Sequence, residues 1–565
     1  MPKITLNGQV CEFQPGQVIL QVASQAAIDI PQYCYHDGLS IVASCRICLA
    51  EIWMPEKTAS GPTGKLLPYM GGKLFPTCQT ACIDGMVVYT DSPKSVANQK
   101  AVMEYLLINH PLDCPVCDQA GECHLQDYSY EYGRGQSRFE EAKVKNPKKD
   151  LGGNILLYSD RCIMCTRCVR FTREVSGTSE LLVSGRGNRE EIDVFPGTPL
   201  DNEIAGNVVD LCPVGALLDK DFLFAQRVWF LKETPSIDGL TASGDNISVH
   251  HNDGKVYRVK PRTNMAVNRW WITDEVRHGW KFVHREDRLS GPARKQFGTR
   301  VACDWPRAYT DACSLLAAGE ASGKRMALMV SPMLSCEDAY ALVAAALAVD
   351  EHCLLAVGPV PHSGQDKLFP KGIDPASPKA FKMYAEKAPN ARGVRRVLEA
   401  VSNARSLGPV ANYEQFLAEL KLSNVGSAII TGNYPSDWVT TELADALRGK
   451  AVVLIDTLPT ALTDLADVLL PSVTWVEKAG TFQNARGMVQ AFEQAIAPRE
   501  GAKAEAQIGL DLLAFATGAK APLYNPASLR QQFSAVSPEL AALAGSVHAA
   551  SAPASVQPDM TVVEL

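Results

Sequence analysis

The chain of 565 residues contains no apolar run near the roughly 20 residues that a membrane-spanning helix needs. Its longest, "AYALVAAALAV" from Ala339 to Val349, is closed by Asp338 and Asp350 and reads as a buried helix. The opening residues, "MPKITLNGQVCEF", lack the apolar core of a secretory signal and the Arg/Ser-rich character of a transit peptide. The expectation is an intracellular protein with no transmembrane segment, reaching any membrane through partners. Positive charge is not in excess: the net charge is −7, so the overall field does not favour nucleic acid. No G-x-G-x-x-G leads from a strand into a helix, and "GRGN" at Gly185 to Asn188 reads as a turn. NADH and flavin are therefore not expected to bind this chain itself. No acid/base or nucleophile constellation stands out, so no catalytic residue is expected in it.

What is present is cysteine, unevenly placed. Of 17, thirteen precede Val214, and Cys303, Cys313, Cys336 and Cys353 are scattered beyond. A secreted disulfide framework would not look like this in so long a chain without a signal sequence; clustered cysteines in a reducing compartment point to metal. One set is Cys34, Cys45, Cys48 and either Cys78 or Cys82, with Cys78 preferred because it lies seven residues before Gly85, where the last strand of this region begins. Its C-x10-C-x2-C spacing is a widened form of the plant-type two-iron loop. A second set, in "HPLDCPVCDQAGEC", is His110, Cys114, Cys117 and Cys123. Its ligand types suit an iron–sulfur cube or a Cys₃His zinc site equally well. An imidazole in place of a thiolate removes one negative charge and favours the reduced cluster.

The third set decides for iron–sulfur. "CIMCTRC" supplies Cys162, Cys165 and Cys168, and "CP" supplies Cys212 before Pro213. A bacterial ferredoxin run is C-x2-C-x2-C-x3-C-P, its fourth cysteine serving the other cluster. Here the local fourth position is Thr172, and counting back from Cys212 finds Val208, Ala205 and Asn202 where a second run would have cysteines. The pattern is that of a two-cluster ferredoxin fold that keeps one cube. Cys11, whichever of Cys78 and Cys82 is not a ligand, and the four late cysteines are left as small buried hydrophobes. Arg161, Arg167 and Arg170 flank the third set, and for most of them the reading is solvated or interface charge.

The length suggests about three to four domains. With 46% hydrophobic and 21% charged residues the chain is soluble and globular. Residues 1–91 read as a two-iron ferredoxin-like domain: a hairpin turned at Asn7-Gly8, a helix in "VILQVASQAA", strands "LAEIW" and "MVVYT", and a Gly/Pro-rich surface excursion between them. Residues 92–140 are the His/Cys segment, opened by a helix capped by Ser92 or Ser95. Residues 141–226 form the ferredoxin-like [4Fe–4S] domain, starting with the linker "EAKVKNPKKDLGG". Residues 227–290 are strand-rich. From 291 to 545, "MALMV", "CLLAV", "SAIIT" and "AVVLI" alternate with helical stretches, as in an α/β domain with a parallel sheet. Residues 546–565 form a small, polar, Pro-containing tail, mobile or extended on a partner.

The order of these sets, with "HPLDCPVC", "CIMCTRCVRF" and "GNVVDLCPVGAL", closely resembles the G-subunit family of bacterial NADH–quinone oxidoreductase, respiratory complex I. The resemblance covers essentially the whole chain and is most specific over residues 30–220. "DTLPTALTDLADVLLPSVTWVEKAGTFQNARGMVQ" resembles the molybdopterin oxidoreductase-type domain that ends the family. The resemblance implies a β-grasp two-iron domain, a helical His/Cys segment, a ferredoxin-like domain and a molybdopterin oxidoreductase-like domain. It assigns Cys34, Cys45, Cys48 and Cys78 to a [2Fe–2S] cluster. His110, Cys114, Cys117 and Cys123 go to one [4Fe–4S] cluster, and Cys162, Cys165, Cys168 and Cys212 to another. It also implies electrons arriving from NADH through flavin in a neighbouring subunit and leaving toward quinone. The implied partners are that subunit, a small two-iron subunit and subunits carrying further clusters, on the cytoplasmic side of the bacterial inner membrane.

Two departures from the family pattern bear on cofactors. Some members hold an extra cluster in a segment like "TPSVCxxCxxGCNI" with a later "WLCD". Here the ligand positions are Asp238, Thr241, Asp245 and Thr273, poor replacements for four thiolates, so no cluster is expected there. The late cysteines sit in no recognisable metal motif, so the C-terminal domain is expected to lack molybdenum. Competing readings are a subunit of an NAD-linked formate dehydrogenase or a hydrogenase, which would want the missing four-cysteine cluster or a second ferredoxin run, and a zinc-stabilised scaffold.

Overall fold

The computed structural model describes residues 1–58, 61–321, 323–422 and 424–550. The chain divides into two compact units, Met1–Phe230 with Leu368–Phe381, and Leu231–Lys367 with the remainder from Lys382.

The first unit opens on a six-stranded sheet. Its order is Gln9–Glu12, Lys3–Leu6, Val87–Tyr89, Leu49–Thr58, Gly61–Pro68, with Leu74–Pro76 also paired to Leu49–Thr58. Lys3–Leu6 runs parallel to Val87–Tyr89, and the other pairs are antiparallel. Asn7 and Gly8 both take positive φ, 45° and 88°, the geometry of the tight hairpin turn their sequence predicts. Helix Ile19–Gln25 buries Ile19, Leu20, Val22 and Ala23 with Ile4, Leu6, Ile52 and Val88 of the sheet. The Gly/Pro-rich surface excursion is built as a hairpin arm, Leu49–Thr58 against Gly61–Pro68. Pro55 sits beside a register irregularity of this ladder, a place where strands tolerate proline.

Of the two candidate caps, Ser92 caps the helix Pro93–Leu107, its Oγ accepting from the Ser95 N–H at 3.3 Å. The linker over 141–153 is in part a strand: Lys148–Gly152 pairs with Ile155–Tyr158, which pairs with Leu217–Asp219. This sheet, the helices Arg167–Phe171 and Asn207–Leu211, and the hairpin Leu181–Ser184 with Glu191–Val194 frame the third cysteine set. "GRGN" lies in the connection of that hairpin, as read from sequence. Val208 and Ala205 are fully buried, and the Asn202 amide donates to Glu180 at 2.9 Å. Packing and hydrogen bonding thus occupy the positions where a second ferredoxin run would carry cysteines.

The second unit holds a three-stranded antiparallel sheet, Lys232–Ile237, Asn246–Asn252 and Lys255–Pro261. Beyond it lies a seven-stranded sheet. Val468–Pro471, Ala451–Asp456, Val425–Thr431, Arg325–Val330 and Leu354–Val357 run parallel in that order, with a hairpin of Ala293–Gln296 and Thr299–Ala302 on the edge. Successive residues of a strand face opposite sides. Accordingly Met326, Leu328 and Val330 join one core with helices Cys336–Val349 and Glu505–Thr517, while Ala327 and Met329 join another with Phe416 and Leu443. The apolar run 339–349 is the buried helix expected of it. The part of the tail from residue 551 lies outside the described residues. Among the described residues, no helix is long and apolar enough to cross a membrane.

Candidate metal centres

Cys34, Cys45 and Cys48 come from the loop that precedes strand Leu49–Thr58, and Cys78 from the turn after Leu74–Pro76. Ala43 and Arg46 in that loop take left-handed φ of 50° and 59°, a sparsely populated geometry that turns successive sulfurs inward. The Cys34 thiol hydrogen-bonds with those of Cys45 and Cys78, and Cys78 also with Cys48. These bonds hold Cys34 below the usual thiol range and push Cys45 and Cys78 above it. Thr77 donates its hydroxyl to the Cys48 carbonyl at 3.0 Å, pinning the two segments together. Cys82 stands apart: burial alone raises its thiol to about 11. Three links thus join the four thiols in the order Cys45, Cys34, Cys78, Cys48, a set that suits a [2Fe–2S] rhomb and contains Cys78 rather than Cys82.

Cys162, Cys165, Cys168 and Cys212 line one cavity with Leu157, Ile192, Val214 and Leu217. Met164 and Thr166, at φ 53° and 58°, alternate with the cysteines and wrap the loop before helix Arg167–Phe171 begins. Cys212 ends helix Asn207–Leu211, where the amides of Leu217, Val214 and Ala216 hydrogen-bond its sulfur. Burial raises Cys162 to about 12, Cys165 to about 11, and Cys168 and Cys212 as well. Thiols so disfavoured as free anions, with amides aimed at one sulfur, fit a bound cationic cluster that ionises them.

The His/Cys set is looser. Cys117 lies within electrostatic reach of Cys114, and Cys123 of Cys117. Burial, then Arg161 and Lys143, holds His110 down to about 4, which keeps it neutral as a ligand imidazole must be. Cys114 is exposed. Two features of this set carry no sequence signal. Arg227 donates to the carbonyls of Cys117, at 2.8 Å, and Pro115, clamping the loop from a distant segment. A side chain on Gly215 would run into the Cys117 sulfur and Gln119 Cβ, so only glycine lets the segment after Cys212 lie against this loop. The His124 N–H donating to the Pro213 carbonyl at 3.1 Å makes the same junction.

The reading of Arg161, Arg167 and Arg170 as solvated or interface charge is corrected. They are 3%, 7% and 6% exposed. Arg161 bonds Asp113 through Nε at 3.0 Å and Nη2 at 2.7 Å, with its guanidinium 4.0 Å above the Tyr158 ring. Arg167 and Arg170 donate to main-chain carbonyls instead. Of the leftover cysteines, Cys11, Cys336 and Cys353 are buried, while Cys82, Cys303 and Cys313 are half-buried.

Asp238, Thr241 and Asp245 form a hydrogen-bonded loop. Asp238 accepts from the N–H groups of Leu240 and Thr241 at 2.8 and 3.1 Å, from the Ser243 hydroxyl at 2.9 Å, and from the Thr241 hydroxyl. Thr273 instead caps the helix Asp274–His278, its Oγ1 accepting from Val276 N–H at 3.3 Å. The donor set is oxygen, with Asp238 and Thr273 already committed to protein donors, and does not fit an iron–sulfur cluster. Burial lifts the Asp238 carboxyl to about 6, from an ordinary 3.8. A raised carboxyl favours the folded state while protonated, and that advantage fades as pH rises from the unfolded to the folded value, by about 3 kcal/mol. The stability cost of Asp238→Asn should therefore shrink by about that amount between pH 4 and pH 7, as read by denaturant unfolding at each pH. A cost that does not change with pH would mean Asp238 is ionised throughout.

Family models match in sequence along the chain. They are a 2Fe-2S iron-sulfur cluster binding domain over residues 2–93, the NADH-ubiquinone oxidoreductase-G iron-sulfur binding region over 99–138, and the NADH-quinone oxidoreductase subunit 3 ferredoxin-like domain over 152–218. An NADH-ubiquinone oxidoreductase NDSU1/NuoG-like 4Fe-4S domain follows over 231–281, and molybdopterin oxidoreductase over 406–514. The fourth model bears a cluster in its name, yet residues 231–281 contain no cysteine. The NADH-ubiquinone oxidoreductase 75 kDa subunit of Reclinomonas americana is 39% identical over 55% of this chain and 42% of its own length. The G subunit of NADH-quinone oxidoreductase from Rickettsia bellii is 38% identical over 54% of this chain and 43% of its own. The aligned part is thus less than half of either relative. A solved NAD+-reducing [NiFe]-hydrogenase in the H2-reduced state matches 40% of this chain and 91% of its own at 25% identity, with a TM-score of 0.33. The series of iron–sulfur domain models, followed by a molybdopterin oxidoreductase model, makes this chain similar, over about half its length, to the G and 75 kDa subunits of NADH–quinone oxidoreductases.

Proposed function

We propose that this chain is the electron-transfer subunit of the peripheral arm of a respiratory complex I. In that reading Cys34, Cys45, Cys48 and Cys78 hold a [2Fe–2S] cluster. His110, Cys114, Cys117 and Cys123 hold one [4Fe–4S] cluster, and Cys162, Cys165, Cys168 and Cys212 hold another. The reading is supported most by the gathering of the third set in one apolar cavity, which a surface zinc site would not need. When bound, the clusters supply one-electron redox chemistry; the chain's part is to hold them, bury them and set their potentials. Domains bounded at residues 91, 140, 226, 290 and 545 go with this assignment. No molybdenum, flavin or NAD is expected on this chain. Electrons would come from NADH by way of flavin on a neighbouring subunit and leave toward quinone. The other partners would be a small two-iron subunit and further cluster-bearing subunits. Attachment to the cytoplasmic face of the bacterial inner membrane would run through that complex.

The test is metal analysis of protein assembled and purified without air. One two-iron and two four-iron clusters require about ten irons per chain, with negligible zinc and molybdenum. About fourteen would mean the Asp238 segment holds a cluster after all. Stoichiometric molybdenum would move the reading to a formate dehydrogenase, and zinc in place of iron would leave a scaffold. Cys212→Ser should lose about four irons and one reduced-state EPR signal, leaving the other two.

A further inference from the structure

Arg170 has hydrogen-bond acceptors in two different ligand sets. Its Nη2 donates to the carbonyl of Cys34 at 2.5 Å and to that of Cys165 at 3.2 Å, and its Nη1 donates to the Ser40 carbonyl at 2.6 Å. Arg167 repeats the arrangement one helical turn earlier. Its Nη2 donates to the carbonyl of Tyr35 at 2.5 Å and its Nη1 to that of Leu211 at 3.3 Å, the residues beside Cys34 and Cys212. Both guanidinium groups are buried, and the Nε of each has no hydrogen-bond partner.

Two adjacent buried cations need compensating anions. The hydrogen bonds of Arg167 and Arg170 all go to main-chain carbonyls, none to a carboxylate. With clusters bound, the ligand thiolates of both sets, whose Cys34 and Cys165 main chains Arg170 already holds, would supply that charge. We propose that Arg170, with Arg167 beside it, is a positioning pair that ties the Cys34/Cys45/Cys48/Cys78 site to the Cys162/Cys165/Cys168/Cys212 site and raises the reduction potential of both. Reduction adds a negative charge, and a fixed cation close by in a low-dielectric setting stabilises the reduced form. A cation shared between two sites moves both potentials in one direction. Their difference changes little, so exchange of an electron between them stays near balance. The guanidinium fork also gives a short hydrogen-bonded connection from a ligand residue of one site to a ligand residue of the other.

This inference rests on the cluster assignment above, and the test separates the two. Arg170→Met and Arg170→Lys are made in the full chain with clusters assembled, and both EPR signals are titrated against ambient potential alongside iron content. In Arg170→Met the reduced-to-oxidised ratio of both sites at a fixed potential should fall at least tenfold, a lowering of about 59 mV or more for a one-electron couple. The signal of the His110 set should not move. Arg170→Lys, which keeps the charge but not the fork, should recover most of the shift. Unshifted potentials in Arg170→Met with full iron would overturn the proposal, as would a shift confined to one site. Should Arg170→Met lose iron, Arg167→Met reads the same two potentials, and unshifted signals there overturn it equally. A wild-type chain without iron would instead overturn the cluster assignment.

Discussion

Cys78→Ser is expected to abolish the two-iron EPR signal and about two irons per chain, while Cys82→Ser leaves both intact. The two cysteines are four residues apart and both precede the last strand of their sheet, so spacing alone ranks them weakly. Their surroundings differ. Cys78 is 1% exposed and hydrogen-bonds two thiols of the set, Cys34 and Cys48. Cys82 is half-buried, with its main chain bound to the Gln17 carbonyl at 2.9 Å, and its thiol is raised by burial alone. A serine hydroxyl is a harder and much less acidic donor than a thiol, so one replacement suffices to lose the rhomb. The reverse result, with Cys82→Ser losing the signal, would move the fourth ligand and require the loop to rearrange around it. The signals of the other two sets serve as the internal control, since they draw on no residue between 34 and 82.

The candidate ligand sets could be proposed from sequence because iron–sulfur sites take most of their ligands from one short loop. Cys162, Cys165 and Cys168 announce themselves by spacing, and Cys212 by the proline after it. The parallel sheet of the second unit was legible too, since buried strands such as "SAIIT" and "AVVLI" are continuous apolar runs. The hairpin arm over 49–68 was not, because Gly and Pro are punctuation in most contexts and only cross-strand pairing reveals a ladder among them. The arginines were misread for a related reason. A charged residue predicts exposure unless its partner is visible, and the acceptors of Arg167 and Arg170 are main-chain carbonyls, which every residue has. Arg227 and Gly215 act on the Cys114–Cys117 loop from about a hundred residues away, where no spacing rule reaches.

Lys478→Met should destabilise the second unit by about 3–5 kcal/mol while leaving all three cluster signals unchanged. Lys478 is buried and forms ion pairs with two buried carboxylates, Asp338 at 2.8 Å and Glu505. Burial works against its charge, and the two carboxylates more than offset that, holding its pKa above the ordinary lysine value. Asp338 is committed as well to the Ser335 hydroxyl at 2.7 Å and the Ala506 N–H at 2.8 Å, and Glu505 accepts from the Asn433 amide at 2.7 Å. These bonds join the starts of helices Cys336–Val349 and Glu505–Thr517 to the loop after strand Val425–Thr431. Methionine fills comparable space but strands two carboxylates together in a dry site. One of them must then take up a proton or leave, and burial already raises Glu505. A carboxyl raised further in the folded state loses its contribution as pH climbs from the ordinary glutamate range toward the new value. Because Glu505 already sits at about 7 beside the lysine, the cost of Lys478→Met should grow with pH only above that value, toward the variant's higher one, measured as a lowered denaturant midpoint at unchanged slope. Adding Glu505→Gln, which keeps the acceptor for Asn433 and removes one charge, should recover part of the loss and flatten the pH dependence. If Lys478→Met is neutral at all pH values, the triad contributes nothing net, and the junction between the two helices rests on the packing of Ala339, Leu342, Ile508 and Leu512 alone.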